Sequence, residues 1–284
     1  MTNVERHNIN LVALERLAVR GVTRAAVFMG LGLNAAQRDD FKEYELSKVP
    51  IDASTNHTPV TLVPPGANAA TVCHYKSEFA SWIISAGLSE VLEHYALLLT
   101  HLHYHALIVY RARQKGQHFG NFEAAQRNFV ESSGLSEKIN QLFQRFEIST
   151  DFDHCIRSLY KLRNAITHNF GFIAPKQAKE GVLRVEWYAF EFFLSTNDGV
   201  PVPLRPMVGE AITPDAKITL KRLKREYRLH AGTRINLSRE QLEEICLFFS
   251  AGCIPAIKAS FIRFLNRHQV PMIPVGAKER PDER

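Results

Sequence analysis

The stretch "IRSLYKLRNAITHNFGF", residues 156–172, decides how this chain is read. Its apolar residues return every three or four positions, the mark of an amphipathic helix. Upstream, Thr150 and Asp153 form a T-x-x-D capping pattern that starts the helix, and Gly171 after Asn169 stops it. At about 100° per residue, Phe152, Ile156, Leu159, Ile166 and Phe170 lie within roughly 40° of one direction, and Arg163 falls near the middle of that arc. Asn164 and His168, four residues apart, lie together on its flank. A guanidinium on a buried face needs a carboxylate, a phosphate ligand or a water-filled cleft, because an isolated charge there is too costly. The architectural option is an arginine that snorkels to an acidic neighbour and does nothing else.

Acidic neighbours are available on a preceding long helix, which runs from about Ser77 to Arg111, with Gly87 or the histidine run as places for a bend. Phe79, Trp82, Ile83 and Ala86 share one of its faces with Glu90, Glu93 and Leu97, and His94 and His101 stand slightly aside. If the two helices pack antiparallel, Glu90 or Glu93 faces Arg163, and the sequence leaves the choice open. The alternative is a solvated face on which both glutamates sit between two apolar patches.

Around these helices the chain reads as a helical bundle with an inserted or appended antiparallel β-ribbon. Residues 1–70 form an N-terminal helical extension, with "NLVALERLAVR" its clearest amphipathic piece, followed by a Pro- and Thr-rich linker. Residues 71–175 form the helical core. Within it "RQKGQHFGNF" is a loop and "SEKINQLFQRF" a short helix capped by Ser136, with Ile139, Leu142, Phe143 and Phe146 apolar. Residues 176–236 are the ribbon: "GVLRVEWYAFEFFL" alternates at period two, Asn197-Asp198-Gly199 is a turn, "VPVPLRPMVGE" is an edge strand limited by its prolines, and 217–229 is a third strand. Residues 237–270 form a final helix capped by Ser238, kinked at Pro255 and completing the bundle, and 271–284 are a flexible tail.

Composition narrows the function classes. With 284 residues, 45% hydrophobic and 23% charged, the chain has the composition of a soluble globular protein with a sizeable core. No signal peptide is evident and no uninterrupted apolar run reaches ~18–20 residues, so a cytoplasmic location with no membrane partner is expected. Cys73, Cys155, Cys246 and Cys253 include no C-x-x-C pair, so all four are expected as buried, reduced thiols rather than zinc ligands. The net charge of +6 is compatible with a nucleic-acid partner. Much of it lies in 217–239, where Lys221, Arg222, Lys224, Arg225 and Arg228 are the candidate RNA-binding residues, unless they are only the solvated outer positions of the ribbon.

With a long acidic helix ahead of it and the "IRSLYKL" lead-in and "HNFG" stop around it, "LRNAITHN" resembles the R-polar-x-x-x-H signature of the HEPN superfamily, the higher-eukaryote and prokaryote nucleotide-binding helical domain. The resemblance covers about residues 75–172. It implies a metal-independent endoribonuclease, a toxin or a phage-defence or stress effector, whose two Arg–His pairs meet in a composite cleft of a homodimer. Arg163, Asn164 and His168 are then the catalytic motif positions, and Glu90 or Glu93 matches the acidic residue of the first core helix. RNA and a cognate antitoxin or regulatory protein become the expected partners, and no cofactor is implied.

The residue types suit that chemistry. An imidazole shuttles protons near neutral pH, and an arginine fork neutralises the non-bridging oxygens of a phosphorane. Asn164, one turn from His168, is placed to orient the imidazole, and a helix C-terminus favours the imidazolium. The same residues would equally serve a non-catalytic module that binds RNA, a nucleotide or a partner protein, or a scaffold with a purely structural Arg163–Glu pair. His94, His101, His103 and His105 lack any accompanying metal motif, so no metal is expected. The glycine-rich phosphate loops and the G-x-S-x-G elbow are absent from the sequence.

Overall fold

A computed structural model describes residues 9–38, 69–113, 122–131, 134–169, 171–195, 201–203 and 217–271. The expected linker after residue 48, the Asn197-Asp198-Gly199 turn, Phe170 and the tail beyond residue 271 lie outside the described residues. Helices dominate, and an antiparallel ribbon is inserted between two of them, as the sequence pattern implies.

Helix α1, Leu11–Gln37, opens on Asn10, whose side chain accepts from the Ala13 N–H at 2.9 Å. It packs antiparallel on α2, Ala69–Arg113. Glycines set this packing. A Cβ at Gly21 would lie 2.1 Å from His94, one at Gly87 2.2 Å from Met29, and one at Gly32 2.6 Å from Ile83. The three contacts step in opposite directions along the two helices, and each needs a residue without a side chain for the backbones to approach. Helix α2 begins eight residues before the expected Ser77, because "AATVCHYK" contains neither Gly nor Pro to stop it.

Helix α3, Phe122–Glu131, adds an element to those expected, and α4 spans Leu135–Phe146. The cap of α4 is Gly134, at φ 96°, not Ser136, which lies inside the helix and offers its carbonyl to Arg157 at 3.1 Å. Helix α5, Asp153–His168, carries the motif. The T-x-x-D capping box expected at its start does not form: the N-cap is Phe152, without a side-chain cap bond, and the Thr150 hydroxyl instead donates to Asp153 Oδ1 at 2.7 Å. Its end is the expected glycine stop, where Gly171, at φ 81°, donates its N–H to the Ile166 carbonyl.

The ribbon consists of β1, Val182–Ser195, and β3, Lys217–His230, paired along their whole length, with β2, Pro201–Pro203, as a three-residue edge piece beside β1. Ser158 of α5 meets the backbone of Glu186, accepting from its N–H at 2.9 Å and lying 3.2 Å from its carbonyl oxygen. That hydroxyl satisfies polar groups that β3 leaves unpaired. At the stem of the ribbon Phe172 bridges Arg234, and Ile235 donates to Gly171.

The last helix starts at the expected cap, Ser238, which the structure shows in a capping box with Gln241. Helix α6, Arg239–Leu247, passes into a π-helical segment, Phe248–Cys253, and then α7, Ile254–Arg267. The expected kink at Pro255 is replaced by this wider turn, which ends where Pro255, with no N–H to donate, enters the first turn of α7. Phe248, Phe249, Phe261 and Phe264 bring this helix into one continuous core shared with α1, α2, α4, α5 and β1. By length and composition α2 and the Arg239–Arg267 helix are apolar enough to cross a membrane, although each carries many of the core residues of this fold.

The α1–α2 contact is open to test. Gly21→Ala should lower unfolding stability by about 1–3 kcal/mol, through overpacking against the His94 ring. The cost should shrink when His94→Ala is combined with it, as read from urea midpoints of the single and double variants.

Candidate functional site

Arg163 is where the sequence and the fold part ways first. Besides Ile156, Leu159 and Ile166, helix α5 buries Cys155, Leu162 and Ala165. The buried arc therefore spans about half the circumference and is centred about 70° away from Arg163. The guanidinium sits at the rim of that arc, not in its middle, with its side chain 22% exposed. From the rim it reaches polar partners without crossing the core. Nε donates to Ser89 Oγ at 3.0 Å, Nη1 to Asn164 Oδ1 at 3.2 Å, and Nη2 lies 3.5 Å from Glu93 Oε1.

The choice between the two glutamates is resolved by α1. Glu90 accepts from Arg24 at 2.5 Å and lies 3.7 Å from His94 Nε2, so it belongs to the α1–α2 contact. Glu93 faces Arg163 but is 71% exposed, and a pair of that exposure holds little energy. The firmer anchors are Ser89 and Asn164. Ser89 was missed in the sequence, although it stands one turn before Glu93 on the same face of α2. Asn164 points its carbonyl oxygen to Arg163, and no hydrogen bond joins it to His168 among the described residues. It orients the guanidinium, in place of the expected imidazole.

His168 is exposed, the last residue of α5. It is five residues from Arg163, about 140° round the helix, and faces away from it. A cleft of ≈ 180 Å³ opens beside Arg163, lined also by Ser89, Glu93, Lys138 and Tyr160, and His168 is not part of its wall. That volume suits a phosphate-sized group and falls short of the roughly 300 Å³ at which small-molecule pockets begin. Lys138 is a second cation of the wall. Its ammonium is bonded to the Phe129 and Val130 carbonyls at the end of α3, and burial holds its pKa below the ordinary lysine value. A larger cleft, ≈ 440 Å³, lies apart from the motif between Glu147 and α7, where Arg267 is tied to Glu147 and the Phe146 carbonyl.

The basic run of β3 separates into different roles. Arg225 is clamped by Glu244, with contacts of 2.9, 3.2 and 3.3 Å, and the same carboxylate accepts from Trp187 Nε1 at 3.0 Å. Lys224 pairs with Glu186 at 2.8 Å, Arg228 with Glu226 at 2.5 Å, and Arg222 lies 5.9 Å from the centre of the Phe152 ring. Lys221 is exposed, with no ion-pair partner among the described residues. The five therefore do not form one unpaired cationic stripe.

The histidines and cysteines also sort by burial. His103 stacks on Phe129 at 3.8 Å and bonds Gln126 at 2.7 Å, and burial pulls its pKa down to about 4, so it stays neutral inside the core. Cys155, Cys246 and Cys253 are buried and free, and desolvation pushes the Cys155 and Cys246 thiols up to about 12. Cys73 is free but exposed, a correction to the expectation that all four are buried. No protein-family model, no curated protein and no solved structure matches this chain.

Arg225 is expected to behave as part of the framework. Arg225→Ala should cost about 1–3 kcal/mol in a denaturant titration by leaving the Glu244 carboxylate with Trp187 as its remaining partner. Lys221→Ala should leave the midpoint unchanged.

Proposed function

We propose that this chain is an endoribonuclease of the HEPN type, acting without a metal at a cleft completed by a second copy of itself. The observation that carries this reading is Arg163: a guanidinium held on three sides by Ser89, Asn164 and Glu93, lining a phosphate-sized cleft, with an exposed histidine at the end of the same helix. Such an arginine is preorganised to meet charge that develops on a phosphorane. Within one chain Arg163 and His168 face different ways, which fits a division of labour between two protomers.

The chemistry needs that division. One group takes the proton from the 2′-hydroxyl as its oxygen attacks phosphorus. Another delivers a proton to the departing 5′-oxygen, leaving a 2′,3′-cyclic phosphate and a 5′-hydroxyl. One imidazole cannot be base and acid in the same step, whereas two related by a two-fold axis can. Phe28 and Leu31 of α1 and the stacked Phe79 and Trp82 of α2 are exposed apolar residues available for pairing. A role as a toxin or a defence or stress effector, held in check by a cognate protein in the cytoplasm, follows from the same reading.

The absence of His168 from the wall of that cleft favours a second reading, a non-catalytic module that binds RNA or a nucleotide phosphate through Arg163. One experiment separates the two. Purified protein in EDTA should cleave single-stranded RNA, and His168→Ala should lose about 10²–10⁴-fold of that rate. Arg163→Ala should abolish cleavage with little change in melting temperature, since its acidic partner is mostly solvated. RNA that stays intact over a broad panel, or cleavage by His168→Ala at the wild-type rate, would sink the enzyme reading. Binding lost in Arg163→Ala without any cleavage would establish the module instead. Light scattering should report a dimer.

A further inference from the structure

The first turn of α5 carries a second cluster, separate from the Arg163 cleft. His154 Nε2 lies 3.2 Å from Cys155 Sγ and 3.4 Å from Glu186 Oε2, and the three ligand atoms all fall within 4.8 Å of one another. Neighbouring residues of a helix diverge by about 100°, so His154 and Cys155 converge only because the imidazole folds back over the thiol. Glu186 comes from β1, brought there by the Ser158 bridge between helix and strand.

We propose that His154, Cys155 and Glu186 form a zinc site that fastens the start of α5 to the ribbon, with solvent as the fourth ligand. A tetrahedral zinc with bonds of about 2.0–2.1 Å to nitrogen and oxygen and about 2.3 Å to sulfur sets its donor atoms roughly 3.3–3.6 Å apart. The two separations from His154, 3.2 and 3.4 Å, are close to that spacing, and the ion would draw the third pair, Cys155 Sγ and Glu186 Oε2, to it from within 4.8 Å. Nitrogen, thiolate and carboxylate together select a borderline ion such as zinc over calcium or magnesium, which prefer all-oxygen sites. Lys224 holds the other oxygen of Glu186 at 2.8 Å, which leaves Oε2 free to coordinate, the kind of outer hydrogen bond that ligating carboxylates receive. His154 is half exposed, so the ion has a path from solvent. On binding, the Cys155 S–H proton leaves to water and the sulfur enters as thiolate, so the cation meets one thiolate, one carboxylate and a neutral imidazole.

No sequence spacing announces this site, because its third ligand is contributed across the fold. Arg163 and His168 take no part in it, so it stands or falls apart from RNA cleavage in EDTA.

The test uses the full chain, stripped with chelator and titrated with cobalt(II) as a visible stand-in for zinc. The expected result is one equivalent per chain, with a tetrahedral visible spectrum and a sulfur-to-metal charge-transfer band, displaced by zinc. His154→Ala alters a half-exposed side chain and should fold normally, yet weaken zinc binding at least about tenfold. Zinc should raise the melting temperature of the wild type and not that of His154→Ala. Cys155→Ser should remove the charge-transfer band and Cys246→Ser should keep it. Less than one equivalent bound, no sulfur band in the wild type, or an unchanged zinc affinity in His154→Ala would overturn the proposal.

Discussion

Helix α5 is the member on which the other elements depend, because it must satisfy two different neighbours at once. Half of its surface is buried in the core through Ile156, Leu159, Leu162 and Ala165. On another side Ser158 meets the Glu186 backbone, where β1 would otherwise present unpaired polar groups. A helix constrained in both directions cannot rotate, and the rim positions are therefore fixed as well. Arg163 occupies one such rim position, and this explains how a charge survives beside an apolar stripe. It is never asked to cross the core, and Ser89, Asn164 and Glu93 meet it at the boundary.

The same economy governs charge elsewhere. Carboxylates and cations that look interchangeable along the chain are assigned distinct partners by packing. Glu90 is taken by Arg24 of α1, Glu244 holds Arg225 and Trp187 together, and Glu15 holds Lys258 between the first and last helices. These pairs tie elements distant in sequence, and in the basic run of β3 they take Arg225 into the framework while Lys221, Arg222, Lys224 and Arg228 stay exposed. Burial acts on the neutral side in the same way: His103 is kept uncharged between Phe129 and Phe146.

Much of the fold was legible because its signals are local. The 3.6-residue period of α5, the period-two alternation of β1, the Ser238 cap and the Gly171 stop each depend on neighbours a few residues apart. The failures were equally local. Ser136 has the chemistry of a cap, but the cap position is held at φ 96°, which Gly134 tolerates, so the helix starts two residues earlier than the serine suggests. Pro255 signals a break, and the backbone absorbs it in a π turn ahead of the proline.

The candidate site was only half legible. Residue types and helical phase pointed to Arg163, Asn164, His168 and a glutamate on α2, since a helix fixes which of its own residues share a side. By itself, then, the sequence determined the elements, their faces and the small set of polar residues that must be accounted for. Which partner each one takes was decided by tertiary structure alone. The contest of Glu90 and Glu93 turned on α1, the role of Asn164 on its distance to a guanidinium, and the meeting of His154, Cys155 and Glu186 on a strand laid against a helix. Periodicity carries no information about contacts between elements, because those depend on how buried surfaces from distant parts of the chain compete for the same space.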